Sequence, residues 1–221
     1  MPPTTHAEDF TGSVPAILVF GDLMKAKAFK DQAPRYKANF LYPLGHPDIE
    51  TIKEIVLGLC RAAYPGREVA SLGLPFKSGE RINADRAAKG KKPYPFYDGH
   101  YVLSTQKPEK TRAGAILAPP RLVVLQNKEY VPYLDENRPA AARFFYNGVK
   151  VVPRLQFSTY EGFNGGITVY LQTVMSLGVG DHIQIGPDDD ETFGGAERYD
   201  SYTGGASNEN PLAPAGGANP W

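Results

Sequence analysis

The sequence predicts a mainly β protein: a small, closed, five-stranded antiparallel barrel with one main α-helix, long loops and a disordered acidic tail. Three observations predict it. Short β-branched or alternating segments recur between Val14 and Leu177. Only one stretch carries a long apolar stripe at helical spacing. After Gly186 the chain turns to Gly, Ala, Pro, Asn and acids, a composition that cannot bury a core.

In chain order, residues 1–13 read as an unstructured lead, 14–187 as the folded domain and 188–221 as the tail. The first strand is VPAILVFG, and the following DLMKAKAFKDQAP reads as a loop or short helix. In RYKANFLYP the period of two puts Tyr36, Ala38, Phe40 and Tyr42 on one face and Arg35, Lys37 and Asn39 on the other. The helix is DIETIKEIVLGLCRAAY, with Ile49, Ile52, Val56, Leu59 and Ala63 as its stripe. Pro47 suits its first turn, Asp48 and Glu50 suit its dipole, and Tyr64-Pro65-Gly66 stops it. Cys60 lies beside the stripe and reads as a small core residue.

Residues 65–98 show little apolar periodicity and are too long for a simple connection, so they read as a functional loop. Strand character returns at HYVLSTQ, RLVVLQ, NGVKVVPRLQFSTY and GGITVYLQTVMSL, the last two joined by a turn at Glu161–Gly165. Alternation puts Val149, Val151, Leu155 and Phe157 inward and Lys150, Arg154 and Gln156 outward. In the last strand Ile167, Val169, Leu171 and Met175 are inward candidates, with Tyr170 and Gln172 opposite.

Composition narrows the function classes. A hydrophobic share of 42% suits a globular chain, and no apolar run approaches the length of a membrane helix. The polar start MPPTTHAEDF lacks the features of a signal peptide, and a single cysteine excludes an internal disulfide. The formal net charge of zero conceals an asymmetry: from Asp188 onward there are seven acids and one base. The body is therefore basic and the tail acidic, a pattern that suits a polyanion-binding surface with a tethered competitor.

Enzyme motifs are absent: there is no GxxxxGK[ST], no strand-linked GxGxxG, no HExxH and no GxSxG. The four histidines are scattered, and Asp188, Asp189, Asp190 and Glu191 read as a solvated run rather than a metal site. No catalytic residue, cofactor or metal is expected.

Basic and aromatic residues interleave in two regions, the texture of a single-strand binder that tracks phosphates with cations and stacks bases on rings. The first holds Lys25, Lys27, Lys30, Arg35, Tyr36 and Lys37. The second holds Lys89, Lys91, Lys92, Tyr94, Phe96, Tyr97, Tyr101 and Lys107. The outward Lys150, Arg154 and Tyr170 complete the candidate set. Any one of these rings could instead fill the core. KGKKPYPFY as a unit favours function, because an exposed loop has little structural need for three rings. The tail ends in Pro220-Trp221, an aromatic beside a free carboxylate that a partner could capture.

In the order of its segments the sequence resembles the single-stranded DNA-binding proteins of tailed bacteriophages, distant relatives of podovirus replicative binders. The likeness spans VPAILVFGDLMKAKAF, RYKANFLYPLGHPDIETIKEIV, PFYDGHYVLSTQ with KPEKTR, and FFYNGVKVVPRLQFSTYEGFNGGITVYLQTVMSLGVGD. It implies an OB-fold core and binding of single-stranded DNA with little sequence preference, in phage replication, recombination or repair. It also implies an acidic tail that competes with DNA and contacts replication proteins, here Asp188–Glu191 and Trp221, in the cytoplasm of the infected host. A homo-oligomer is left open, as is RNA as ligand. The alternatives are a phage structural or assembly β-barrel and a nucleic-acid-processing enzyme.

Overall fold

The computed structural model describes residues 5–28, 32–111, 113–161 and 165–185. The chain divides into two units, Met1–Ile183 and Gln184–Trp221, and the fold is that of the first. The expected tail, residues 188–221, lies outside the described residues.

Alternation sets the strands. In β3 (Arg35–Pro43) Tyr36, Ala38, Phe40 and Tyr42 are all buried, as the period of two requires. β2 (Ala16–Lys27) is longer than expected, because the segment read as a loop or helix continues the strand to Lys27. The lead is not wholly unstructured: Ala7–Thr11 forms β1, with Phe10 buried against Phe157. β5 (His100–Pro108) pairs with β3 along its whole length. β8 (Val149–Tyr160) turns its odd-numbered residues Val149, Val151, Leu155 and Phe157 to the core.

β9 (Gly166–Gly180) obeys the expected alternation only in its first half. Ile167, Val169 and Leu171 are buried, but Met175 is not; Val174 and Ser176 are. Arg154 pairs with Thr173 and Leu155 with Leu171, which leaves Gln172 as an extra residue. That β-bulge reverses the inward parity beyond it.

The pairings run in a circuit: β2 to β3, β3 to β5, β5 to β9, β9 to β8 and β8 back to β2. Four of these pairs are antiparallel. The fifth, β5 with β9, is parallel and consists of the single bridge Gln106–Tyr170, so the expected all-antiparallel arrangement is corrected at this seam. β6 (Arg121–Gln126) also joins β9 in parallel, and carries β7 (Glu129–Tyr133) as a hairpin partner. The hairpin turns at Asn127 and Lys128, both with positive φ, as a two-residue primed turn demands. β7 contains Pro132, tolerable because the strand is at an edge.

Helix α1 (Asp48–Ala63) lays Ile49, Ile52, Val56 and Leu59 on the sheet, and Cys60 is buried beside them. Burial pushes the Cys60 thiol pKa up, as suits an inert core residue. Asp48 is buried at the helix start, where it accepts from the backbone N–H (3.0 Å) and the hydroxyl of Ser13. This contact ties the β1–β2 joint to α1.

Residues 65–98 are more ordered than a loop. They contain the short strand β4 (Phe76–Ser78), which pairs with β5, and a second helix, α2 (Gly79–Ala87). Ser78 caps α2 by accepting from the Arg81 N–H. Gly79 is required there, since a Cβ would lie 1.8 Å from the Tyr97 carbonyl oxygen.

Candidate nucleic-acid interface

Outward side chains of β3, β5 and β9 converge on an open groove of about 620 Å3. Arg35, Lys37 and Asn39 come from β3, Ser104 and Gln106 from β5, Thr168 and Tyr170 from β9. Cross-strand register explains why they meet. Lys37 pairs with Gln106, Gln106 with Tyr170, and Tyr170 with Gln156 of β8. Neighbouring strands lie about 4.8 Å apart, so these side chains form one row across the sheet.

The groove mixes polar and apolar lining, with Pro75, Tyr160 and Ile167 beside the polar row, and hydrogen bonds order that row. Arg35 Nη1 donates to Gln106 Oε1 at 2.7 Å, and Gln106 Nε2 donates to Thr168 Oγ1 at 3.0 Å. The amide of Gln106 is thereby oriented at the seam where β5 and β9 touch.

At its Asn39 end the groove meets a group of rings. Asn39 Nδ2 donates to the Tyr97 hydroxyl at 2.9 Å. Phe20 lies 5.0 Å from Tyr94 and 6.0 Å from Phe96, and Tyr94 stacks on Phe96 at 5.2 Å. The guanidinium of Arg86, from α2, sits 3.7 Å from the Tyr94 ring centroid. Phe20 reaches this group because β2 loses register between Val19 and Asp22 and Phe20 takes φ 52°, held by its N–H donating to Asn147 Oδ1 at 2.8 Å. A left-handed aromatic residue is a costly conformation, and such strain clusters at functional sites.

Three of the candidate rings pack into the protein rather than onto an open surface. Tyr36 is buried on the inward face of β3, with the Arg138 guanidinium 5.6 Å from its ring, and burial raises its phenol pKa. Tyr97 is 3% exposed, a support for the cluster rather than a surface platform. Tyr101 stacks on Phe76 at 5.0 Å with the Lys53 ammonium above it, so it packs toward α1. Lys107 pairs with Tyr36 and shares its inward side; desolvation, then the charge of Arg138, lowers its pKa.

Among the cations, Arg35 and Lys37 line the groove. Lys89, Lys91 and Lys92 are exposed after α2, where Arg86 Nε holds the Lys92 carbonyl at 2.9 Å beside the aromatic cluster. Lys25 is exposed on β2, and Lys27 is ion-paired with Asp22. Lys150 and Arg154 are exposed on β8, and Arg154 lies 3.9 Å from Asp9. Lys30, Asp188, Asp189, Asp190, Glu191 and Trp221 lie outside the described residues. Among the described residues no three His, Cys, Asp or Glu side chains are grouped to hold a metal ion, and no helix is long and apolar enough to cross a membrane.

Sequence reasoning missed Phe20, Gln106, Thr168 and Arg86. Gln106 and Thr168 could have been found as outward positions on strands already recognised. Nothing local announces the backbone reversal at Phe20.

The fold is shared with bacteriophage single-stranded DNA-binding proteins of solved structure. No protein-family model matches the chain, and no curated protein does. Among solved structures, the single-stranded DNA-binding protein from bacteriophage Enc34 in complex with ssDNA matches with a TM-score of 0.58 and 17% identity, over 81% of this chain and 89% of that one. A C-terminal truncation of the Enc34 protein matches at 0.56 and 16% identity, over 82% and 88% of the two chains. Bacteriophage T7 gp2.5, a single-stranded DNA-binding protein, matches at 0.51 and 13% identity, over 86% and 94%. At these identities the likeness is one of fold.

Proposed function

We propose that this chain binds single-stranded DNA with little sequence preference and catalyses no reaction. The observation that carries this reading is the row Lys37–Gln106–Tyr170 with Arg35 beside it, continuous through Asn39 with the Phe20–Tyr94–Phe96 rings. Phosphates are captured along Arg35, Lys37 and the exposed Lys89–Lys92 loop, and bases stack on Tyr170, Phe96 and Tyr94. The floor offers side-chain amides and hydroxyls to whatever base edge lies over it, which suits sequence tolerance. We read the strand circuit as an OB-type barrel, the parallel β5–β9 seam forming part of the binding face.

On this reading the protein protects single strands during phage DNA replication, recombination or repair in the host cytoplasm. The acidic segment Asp188–Glu191 competes with DNA for the groove, and Trp221 engages replication partners. Support for the tail's role is the charge asymmetry between body and tail.

The test is fluorescence anisotropy of a labelled oligothymidine and a matched duplex at two salt concentrations. Preference for the single strand, weakened by salt, is expected because binding releases counterions. Equal or absent binding to both overturns the reading. Removing residues 188–221 is expected to tighten binding at low salt, and unchanged affinity would remove the tail from the mechanism.

A further inference from the structure

The cross-strand row through the groove ends in a carboxylate on each side. Beyond Tyr170 it passes to Gln156 and then to Asp9 of β1; beyond Lys37 it reaches Asp22 of β2. The full row is Asp9–Gln156–Tyr170–Gln106–Lys37–Asp22, five strand spacings or about 24 Å across. Asp22 is already neutralised by Lys27. Asp9 is placed differently.

Past Tyr170 the surface opens into a polar hollow of about 330 Å3 lined by Asp9, Arg154, Gln156, Gln172 and Thr173. By donor chemistry it suits a phosphodiester: a guanidinium, two amides and a hydroxyl. None of the residues lining it carries a ring. Asp9 engages its donors, accepting from Gln156 Nε2 at 3.1 Å and lying 3.9 Å from Arg154 Nη2. Stability does not account for this carboxylate. The two charged side chains are 58% and 61% exposed, and ion pairs of that kind contribute little to folding.

We propose that Asp9 is the stop of the DNA track: it occupies Arg154 and Gln156 and repels the next phosphate, so that the bound strand ends at Tyr170. The inference rests on the single-strand reading above. β1 thus limits how many nucleotides one molecule covers. Arg154, a cation the sequence suggests as a DNA contact, is turned to Asp9 instead.

The experiment is a double-mutant cycle on the full chain: wild type, Asp9→Asn, Arg154→Ala and the double variant, titrated with labelled oligothymidine over a salt series. Asparagine keeps an acceptor for Gln156, and matching thermal unfolding midpoints establish that β1 stays paired. Asp9→Asn is expected to bind at least about threefold more tightly at low salt, with a log–log salt slope steeper by about 0.7, one added phosphate on a single strand. Arg154→Ala alone is expected to match wild type, and the double variant to return to the wild-type slope. An Asp9→Asn protein with wild-type affinity and slope overturns the stop. So does a double variant that keeps the steeper slope, since Arg154 would then not be the group released. A wild type without preference for single strands brings down the stop together with the reading beneath it.

Discussion

Arg35 and Gln106 are joined by a 2.7 Å hydrogen bond across the β3–β5 pair, and the same amide donates onward to Thr168 of β9. The relay fixes the guanidinium over the groove while leaving its other donors for a ligand. A flexible arginine would lose rotamer freedom on binding; this one is already ordered. Arg35→Ala is therefore expected to lower affinity for oligothymidine by about tenfold at low salt and to reduce the salt slope by about 0.7. Gln106→Glu is expected to weaken binding comparably, because a carboxylate at 2.7 Å would pair with the guanidinium. Anisotropy titrations across a salt series check both.

The aromatic candidates divide by burial. Phe96 is half-buried at the surface of its cluster, and Phe96→Ala is expected to cost about 1–3 kcal/mol in single-strand affinity, the usual worth of a stacked base. Tyr36 faces the core. Tyr36→Ala is expected to cost about 3 kcal/mol of folding stability, while the fraction that folds binds DNA like wild type. Urea unfolding and oligonucleotide titration on the same preparations separate the two effects.

That division also marks what was legible from residues alone. The alternation of Tyr36, Ala38, Phe40 and Tyr42 and the stripe on α1 reflect burial on one face, and both are seen in the structure. The helix α2 escaped because no apolar stripe holds it. Asn83 does, donating to the Tyr94 carbonyl (2.9 Å) and to Asp98 (2.8 Å) and accepting from the Tyr94 N–H (2.8 Å). The misplaced Met175 follows from one extra residue, Gln172, whose position only the partner strand reveals. Of the groove, the cations Arg35 and Lys37 were readable from β3. The row linking them to Gln106 and Tyr170 was not, because register between strands distant in sequence is a tertiary property.

Two cations at one end of the sheet circuit, Arg138 and Lys107, are held differently. Arg138 is 5% exposed and donates to the Leu23 carbonyl (2.9 and 3.1 Å) and the Pro120 carbonyl (2.6 Å). Arg138→Ala leaves those acceptors without donors, and a loss of about 2–4 kcal/mol is expected in urea unfolding. Among the described residues none compensates Lys107 in this way, and desolvation, then the charge of Arg138, lowers its pKa. Lys107→Met keeps the stem and removes the charge. A gain of up to about 1 kcal/mol is expected, with oligonucleotide affinity unchanged because the side chain faces away from the groove.

Glu80 supplies the pH-dependent contact of the α2–β5 junction. Its carboxylate accepts the Gly99 N–H at 2.9 Å, binding the first turn of α2 to the residue before β5. Hydrogen bonds from its own backbone N–H and from Gly99, aided by Ser78 and the charge of His100, hold its pKa below the ordinary glutamate value. A carboxylate with a depressed folded-state pKa stabilises the fold above its unfolded pKa of about 4.3, and that contribution fades as pH falls through the folded value. Glu80→Gln is therefore expected to unfold at a lower urea concentration than wild type at pH 7. The gap between the two midpoints should shrink as pH falls below about 4.3 and close once pH is below the depressed folded-state value, where wild-type Glu80 is itself protonated. A gap that stays constant with pH would mean that the contact is steric rather than ionic.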